Sequence, residues 1–543
     1  MDLSLNIADF PVATMRLVKV DGQRLCLVHT SSGVYALDNA CPHEGYGLTT
    51  GKLDGEVVTC TWHNWKFRVG DGHSVLGEED VMTHTVAVSP DGSLSVTLAT
   101  PDPEVIRPKL MQSLRNGISR DYVGQMSRDV IRLLRADTNP GELMWEAVAY
   151  GAPRAEFGWG HSIASLTDCL GMATNQTGDA RVLPIVQALA GVAESERGRP
   201  VNPLPEPLRA KPANPRSEFR NLVEQERLTD AQSLLRGAIH GGAQPDGVMA
   251  WFTDLVSDHL LAYGHGAIYV QKAFQLLAHI GWERADTVLP HLLPTIVYAT
   301  REDTLPYTRL FVRSLGAFDL NALADHAGSR NGGWSDNGEL LRAILGPDRA
   351  AAATVACGAV MRGASLEDLL DVVSIAASNR MLRYDAAGEA DFHDDFGWLD
   401  ITHALTYANA VRWLVRNSPD VTPDLVRLVM WTVCLANWTG RHEWHTTVGP
   451  TTTIEPWSTD LAEYGRLLQH QALQDGTAAF IVHAHAIKMS VAATEEAIRL
   501  ESTAPLDATV RFLTEPRLER FVAATVTRSL DFLSGRSDRV SEA

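Results

Sequence analysis

Two short pairs of metal-ligating residues constrain the front of this chain more than anything else in it. Cys41-Pro42-His43 is followed, after sixteen residues, by Cys60-Thr61-Trp62-His63, so the pairs read C-x-H and C-x-x-H. Two thiolates and two neutral imidazoles are what a [2Fe–2S] cluster needs when it is held by Cys on one iron and His on the other. The same four side chains also suit a structural zinc ion. Zinc sites more often pair like with like, whereas each pair here holds one Cys and one His, which favours the cluster. The flanks agree: residues 34–38 lead into the first pair as a strand, and Trp65-Lys66-Phe67 and Gly70-Asp71-Gly72 follow the second as strand and turn.

The whole stretch resembles the Rieske domains of ferredoxins and ring-hydroxylating oxygenases, which implies a [2Fe–2S] cofactor on Cys41, His43, Cys60 and His63. Respiratory Rieske proteins carry an extra Cys in each loop, joined as a disulfide. These loops supply none, so the resemblance is to the lower-potential, soluble branch. Segments 15–20 and 23–29 around Asp21-Gly22, and 83–89 and 93–98 around Pro90-Asp91-Gly92, read as hairpins. A small antiparallel sandwich over residues 1–100 is expected, with the cluster at its tip.

The chain has 543 residues, which implies more than this one domain. A net charge of −19 argues against nucleic acid or an anionic membrane as partner. No apolar run reaches the length of a membrane span, and Met1-Asp2-Leu3-Ser4 opens without a basic or apolar export signal. Cys26, Cys169, Cys357 and Cys434 are scattered in apolar contexts and read as buried thiols, so a reducing cytoplasm is expected.

Pro101-Asp102-Pro103 closes the strand-rich part. Beyond it, Ala/Leu/Arg-rich windows carry a helical period, and residues 101–543 are expected to form one large all-α domain. Helices are predicted over 125–136, 143–150, 156–173, 229–239, 247–261, 266–279, 339–345, 350–361, 366–379, 398–415, 423–436, 458–471, 478–499 and 516–533. A further one over 287–299 is compromised by Pro290 and Pro294. Six prolines between 196 and 216 mark a linker or a draped loop.

Four His in the helical part share a setting: Gly160-His161-Ser162-Ile163, Gly264-His265-Gly266-Ala267-Ile268, Thr402-His403-Ala404-Leu405 and His483-Ala484-His485-Ala486-Ile487-Lys488. Small neighbours let helices approach closely, and neutral imidazole suits iron, copper or zinc. A lone helical His is more often a core residue bonded to a carbonyl. An electron-transfer centre in the same chain nevertheless implies an acceptor, and no G-x-G-x-x-G nucleotide fingerprint follows a strand. Asp254, Asp258, His259 and His265 superficially suit a 2-His-1-carboxylate iron site. Its spacing does not fit, and the chain is too helical for the fold that carries it.

The helical part resembles the questin oxidase-like family over roughly residues 110–540, on its His-bearing helices and their order. The resemblance implies an oxygenase acting on anthraquinone-type polyketides, with Fe(II) held by four His and a carboxylated Lys. Carried over by position, these are His161, His265, His403, His485 and Lys488, with His483 competing for the fourth place and Lys272 a weaker alternative to Lys488. A Lys buried near a metal has a depressed pKa, and its neutral amine can add carbon dioxide to become an anionic ligand; an ordinary snorkelling Lys is the alternative. His442 and His445 read as pocket or surface residues. His393-Asp394-Asp395 reads as a loop or helix cap rather than a support for the metal, and Asp258-His259 as structural. Trp159, Trp398 and Tyr263 suit an aromatic pocket or the core equally.

These features predict an oxidoreductase in which the cluster takes electrons from a ferredoxin or NAD(P)H-dependent reductase. They would pass to a mononuclear iron that activates O2, and the resemblance implies a polycyclic aromatic or similar secondary metabolite as the substrate. Because electron transfer needs close centres, a homo-oligomer is expected. The competing readings are a Rieske carrier or sensor with a protein-binding helical scaffold, and a zinc hydrolase with a redox switch.

Overall fold

The computed structural model describes residues 2–77, 79–100, 102–210, 212–329, 333–440, 443, 454–477 and 479–535. The chain divides into two units, Met1–Asn139 and Pro140–Ala543. The described strands lie in the first unit, and the second is helical. The expected class, a small β domain followed by a large α region, is what the chain forms.

The first unit holds β1 (Asp2–Asn6), β2 (Thr14–Val20), β3 (Gln23–Thr30), β4 (Gly33–Asp38), β5 (Lys52–Asp54), β6 (Val57–Thr59), β7 (Lys66–Arg68), β8 (Ser74–Leu76), β9 (Thr83–Val88) and β10 (Ser93–Thr97). They build a six-stranded sheet, β1-β10-β9-β4-β3-β2, and a four-stranded one, β5-β6-β7-β8, antiparallel throughout. The β2–β3 turn has Asp21 at φ 48° and Gly22 at φ 83°, the left-handed pair that matches strand twist in a two-residue hairpin. In β3, Leu25, Cys26, Leu27 and Val28 are all buried. Leu25 and Leu27 pack with Phe10, Ala36, Leu94 and Val96, whereas Cys26 and Val28 pack with Cys41, Val58, Cys60 and Phe67. The strand is covered on both faces, so its apolar residues run together instead of alternating, and one of its two cores seats the cluster ligands.

This unit does not end near residue 100. Two helices, α1 (Pro103–Arg120) and α2 (Val123–Arg135), belong to it. Asp102 caps α1 through the Glu104 amide. Sequence reading missed α1, whose first turns carry Pro103 and Pro108; Pro103 sits at the N-terminal position where its missing N–H costs nothing.

In the second unit most predicted helices are present. The helix Ala285–Val297 forms in spite of Pro290 and Pro294. Pro294 cannot donate to the Pro290 carbonyl, and Gln232 Nε2 donates there instead, at 2.9 Å. The last predicted helix is shorter, Val522–Leu533. Helices Val182–Glu196, Pro215–Glu224, Arg309–Leu315, Leu320–Gly328 and Ala504–Thr514 were not anticipated. The proline-rich stretch is a draped segment: Leu208 N donates to Ser233 O and Asn202 N to Pro153 O. Among the described residues no helix is long and apolar enough to cross a membrane.

Four helices position the His side chains: His161–Thr174, His265–Ile280, Trp398–Arg416 and Phe480–Leu500. The first packs on the second and fourth, and the third packs on the same two, closing a ring.

Candidate metal centres

The two cluster loops are built alike. Cys41 N donates to Tyr46 O and Cys60 N to Trp65 O, both at 2.8 Å. Each loop then turns through a left-handed residue four positions after its Cys, Gly45 at φ 76° and Asn64 at φ 63°. The result presents Cys41 and Cys60, both buried, beneath His43 and His63. The two imidazoles approach edge to face, with Nδ1 atoms 2.9 Å apart. Burial pushes the Cys41 thiol up to about 12, so its thiolate form calls for positive charge beside it. Burial and the neighbouring His63 lower His43, which favours the neutral ligand form. The donor set fits a Rieske cluster. None of the six Cys forms a disulfide.

In the helical unit the five residues carried over by position meet. His265 Nε2 lies 2.8 Å from His403 Nε2, which lies 3.2 Å from His485 Nε2. Ligand atoms of His161, His265 and His485 fall within 4.8 Å of one another. Lys488 Nζ is 3.2 Å from His161 Nδ1. His265 Nδ1 donates to Ala262 O at 2.6 Å, and His485 Nδ1 to Ile481 O at 2.7 Å. These bonds fix the proton on Nδ1 and leave Nε2 as a lone pair. His403 Nε2 stands between two such lone pairs and can donate to only one of them. A cation at this point satisfies all of them.

Electrostatics favour the same donor forms. Burial and the nearby Lys488 push His265 down to about 3, and hold His161, His403 and His485 well below their usual value. Burial brings Lys488 down to about 7. His161 and His265 are the first residues of their helices, and neither helix has a side-chain cap. Two positive helix ends therefore open at the centre, a setting that stabilises an anionic ligand.

The His265 end is strained into place. Ala262, Tyr263 and Gly264 all have positive φ, at 43°, 58° and 89°. This turn aims the Ala262 carbonyl at His265 Nδ1, while Tyr263 N donates to the buried Glu302 at 2.7 Å. The ring of Tyr263 faces His403 at 5.8 Å between centroids. Tyr269, one turn after His265, lies 5.9 Å from the His161 ring and 5.1 Å from the His265 ring. Sequence reading did not single it out.

Two turns below the His layer lies a second polar layer on the same four helices. Lys272 Nζ donates to Asp168 Oδ1 at 2.7 Å, and both side chains are buried. Gln271 Nε2 reaches Asn409 Oδ1 at 3.4 Å, and Asn409 Nδ2 donates to Glu495 at 2.8 Å. Arg412 joins Glu496, Glu367 and Asp371 beyond it. Asp168 is seven residues after His161, Lys272 seven after His265 and Glu495 seven after Lys488, so the layer sets the register of the ring.

The other candidates lie elsewhere. His483 Nε2 hydrogen-bonds to Ala472 O at 3.0 Å, outside the cluster of imidazoles. Lys272 is committed to Asp168. His393 is exposed and pairs with Asp531. Asp258 pairs with Arg220 and Arg427, and His259 with Asp303 and Glu224. Trp398 packs on Tyr384 and Phe512 in the core, and Trp159 is buried. His442 and His445 lie outside the described residues.

Residues 4–86 match the family model of the Rieske [2Fe-2S] domain. Over 82 residues the chain is 29% identical to the ferredoxin component of the naphthalene 1,2-dioxygenase/salicylate 5-hydroxylase systems of Ralstonia sp, covering 15% of this chain and 79% of that protein. Over 64 residues it is 38% identical to cholesterol 7-desaturase nvd of Xenopus laevis, covering 11% of this chain but only 14% of that protein. A solved complex of reduced oxygenase and oxidized ferredoxin in carbazole 1,9a-dioxygenase matches at 26% identity and a TM-score of 0.16, over 17% of this chain and 96% of the matched one. The family-model match places a Rieske domain at the front of the chain.

Proposed function

We propose that the chain is a Rieske-dependent non-heme iron oxygenase acting on an aromatic, polyketide-type secondary metabolite. Its mononuclear iron would be held by His161, His265, His403, His485 and Lys488. The observation that supports this most is the meeting of four imidazoles, His403 and His485 buried and His161 and His265 half-buried, with the buried Lys488 amine at one point. When bound, iron would supply the electron exchange with dioxygen that a closed-shell organic substrate lacks.

The chain's own residues do the rest. Carbonyls of Ala262 and Ile481 hold the His265 and His485 rings in the ligating tautomer. The neutral Lys488 amine can form an N–C bond with carbon dioxide and release a proton, giving a carbamate. The two uncapped helix ends would stabilise that negative charge. Burial of His403, His485 and Lys488 limits water on their side of the centre. Electrons would enter through the front domain, where His63 is exposed, from a ferredoxin or an NAD(P)H-dependent reductase. The relatives named for dioxygenase systems support a role in such a chain of electron carriers.

Iron analysis of the purified full chain tests this. The oxygenase predicts more than two iron per chain, falling to two in His265→Ala and His403→Ala. Two iron in the unaltered protein would leave an electron carrier with a helical scaffold.

A further inference from the structure

The helices α1 and α2 lie outside the matched Rieske residues, yet α2 reaches one of the cluster ligands. Tyr122 Oη donates to the main-chain carbonyl of His43 at 3.1 Å. Arg128 Nη1 donates to the same oxygen at 3.0 Å. The Tyr122 ring lies 5.7 Å from the His43 imidazole, which also meets His63 edge to face and Trp65, stacked at 4.9 Å. Arg128 is held by the buried Glu79 at 3.0 Å, and Glu79 also faces Arg132 at 3.5 Å. His63 receives no comparable bond from α2 among those described. The device therefore acts on one of the two imidazole ligands.

We propose that Tyr122 and Arg128 are positioning residues that set the cluster's reduction potential by clamping the His43 carbonyl, with Glu79 as the counterweight. Reduction adds one negative charge to the cluster. A guanidinium beside a ligand favours the reduced form, and a carboxylate close by opposes it. Two donors on the His43 carbonyl withdraw electron density from the ligand's backbone in the same sense. The potential of this domain is then higher than its strands and loops alone would give. The helical extension, not the loops, carries the adjustment. The inference rests on the cluster ligands alone and is independent of the His-rich centre in the second unit.

Redox titration of the full, cluster-loaded chain, followed by the electron paramagnetic resonance of the reduced cluster, tests it. Arg128→Gln and Tyr122→Phe are expected to lower the potential, and Glu79→Gln to raise it. At a fixed poise the reduced-to-oxidised ratio should fall about threefold or more in Arg128→Gln, the scale of one charge removed near a partly exposed site. Potentials that stay put in all three variants would overturn the proposal, whatever happens to thermal stability. A shift of the same sign in Arg128→Gln and Glu79→Gln would overturn it too. If Arg128→Gln fails to accumulate, Tyr122→Phe and Glu79→Gln still oppose each other and decide.

Discussion

Replacing Gly264 by alanine should damage the helical unit, whereas the same change at Gly171 should strengthen it. Gly264 adopts φ 89°, and a Cβ there would stand 2.4 Å from the Tyr407 ring. The left-handed backbone costs a side chain about 1–2 kcal/mol. Overlap with an aromatic ring fully buried in the helix Trp398–Arg416 adds about 1–3 kcal/mol. The sum is roughly 2–5 kcal/mol, and it falls between His265 and the helix that carries His403. Gly171 lies inside the His161 helix with nothing within 4 Å of its added Cβ. Alanine there should gain about 0.5–1 kcal/mol in helix propensity. Urea unfolding followed by far-ultraviolet circular dichroism, which reports mainly the helical unit, measures both. A Gly264→Ala midpoint at or above that of Gly171→Ala would refute the tight packing assigned to the His265 turn.

Two further outcomes follow from the buried charges. Lys488 keeps its proton up to about 10.5 when unfolded but loses it near 7 when folded. Between those values the unfolded chain binds more protons, so stability of the metal-free protein should rise with pH by up to about 1.4 kcal/mol per unit. Below about 7 both states hold the proton, so the slope should vanish with the burial penalty at its full size, and Lys488→Met should flatten the rise; parallel pH–stability profiles would contradict it. Asp168→Asn and Lys272→Met should each cost about 3–5 kcal/mol by stranding a buried charge, while the double variant costs less than their sum. Additive losses in urea unfolding would mean the pair is not coupled.

What could be read from the sequence depended on how local the signal is. The cluster ligands sit in two loops of a few residues each, so spacing alone exposed them. The helical His were visible only as similar contexts, and their assembly came from resemblance. His485 and Lys488 are three apart and share a helix face, whereas His483 is two from His485 and points away, as its bond to Ala472 O shows. Asp168 and Lys272 are 104 residues apart, and nothing in either stretch announces the partner. Tyr122 and Arg128 were equally silent, because their target is a backbone carbonyl. Pro290 and Pro294 misled in the other direction: the acceptor that Pro294 leaves open is satisfied by a side chain from another helix.

The proposed function requires that imidazoles from four helices gather around an ion. A crystal structure with anomalous data collected at the iron edge addresses it without reference to any substrate. A strong peak is expected among the Nε2 atoms of His265, His403 and His485, with added density on Lys488 Nζ. Ordered side chains with no anomalous scatterer between them, in protein purified with iron supplied, would contradict it.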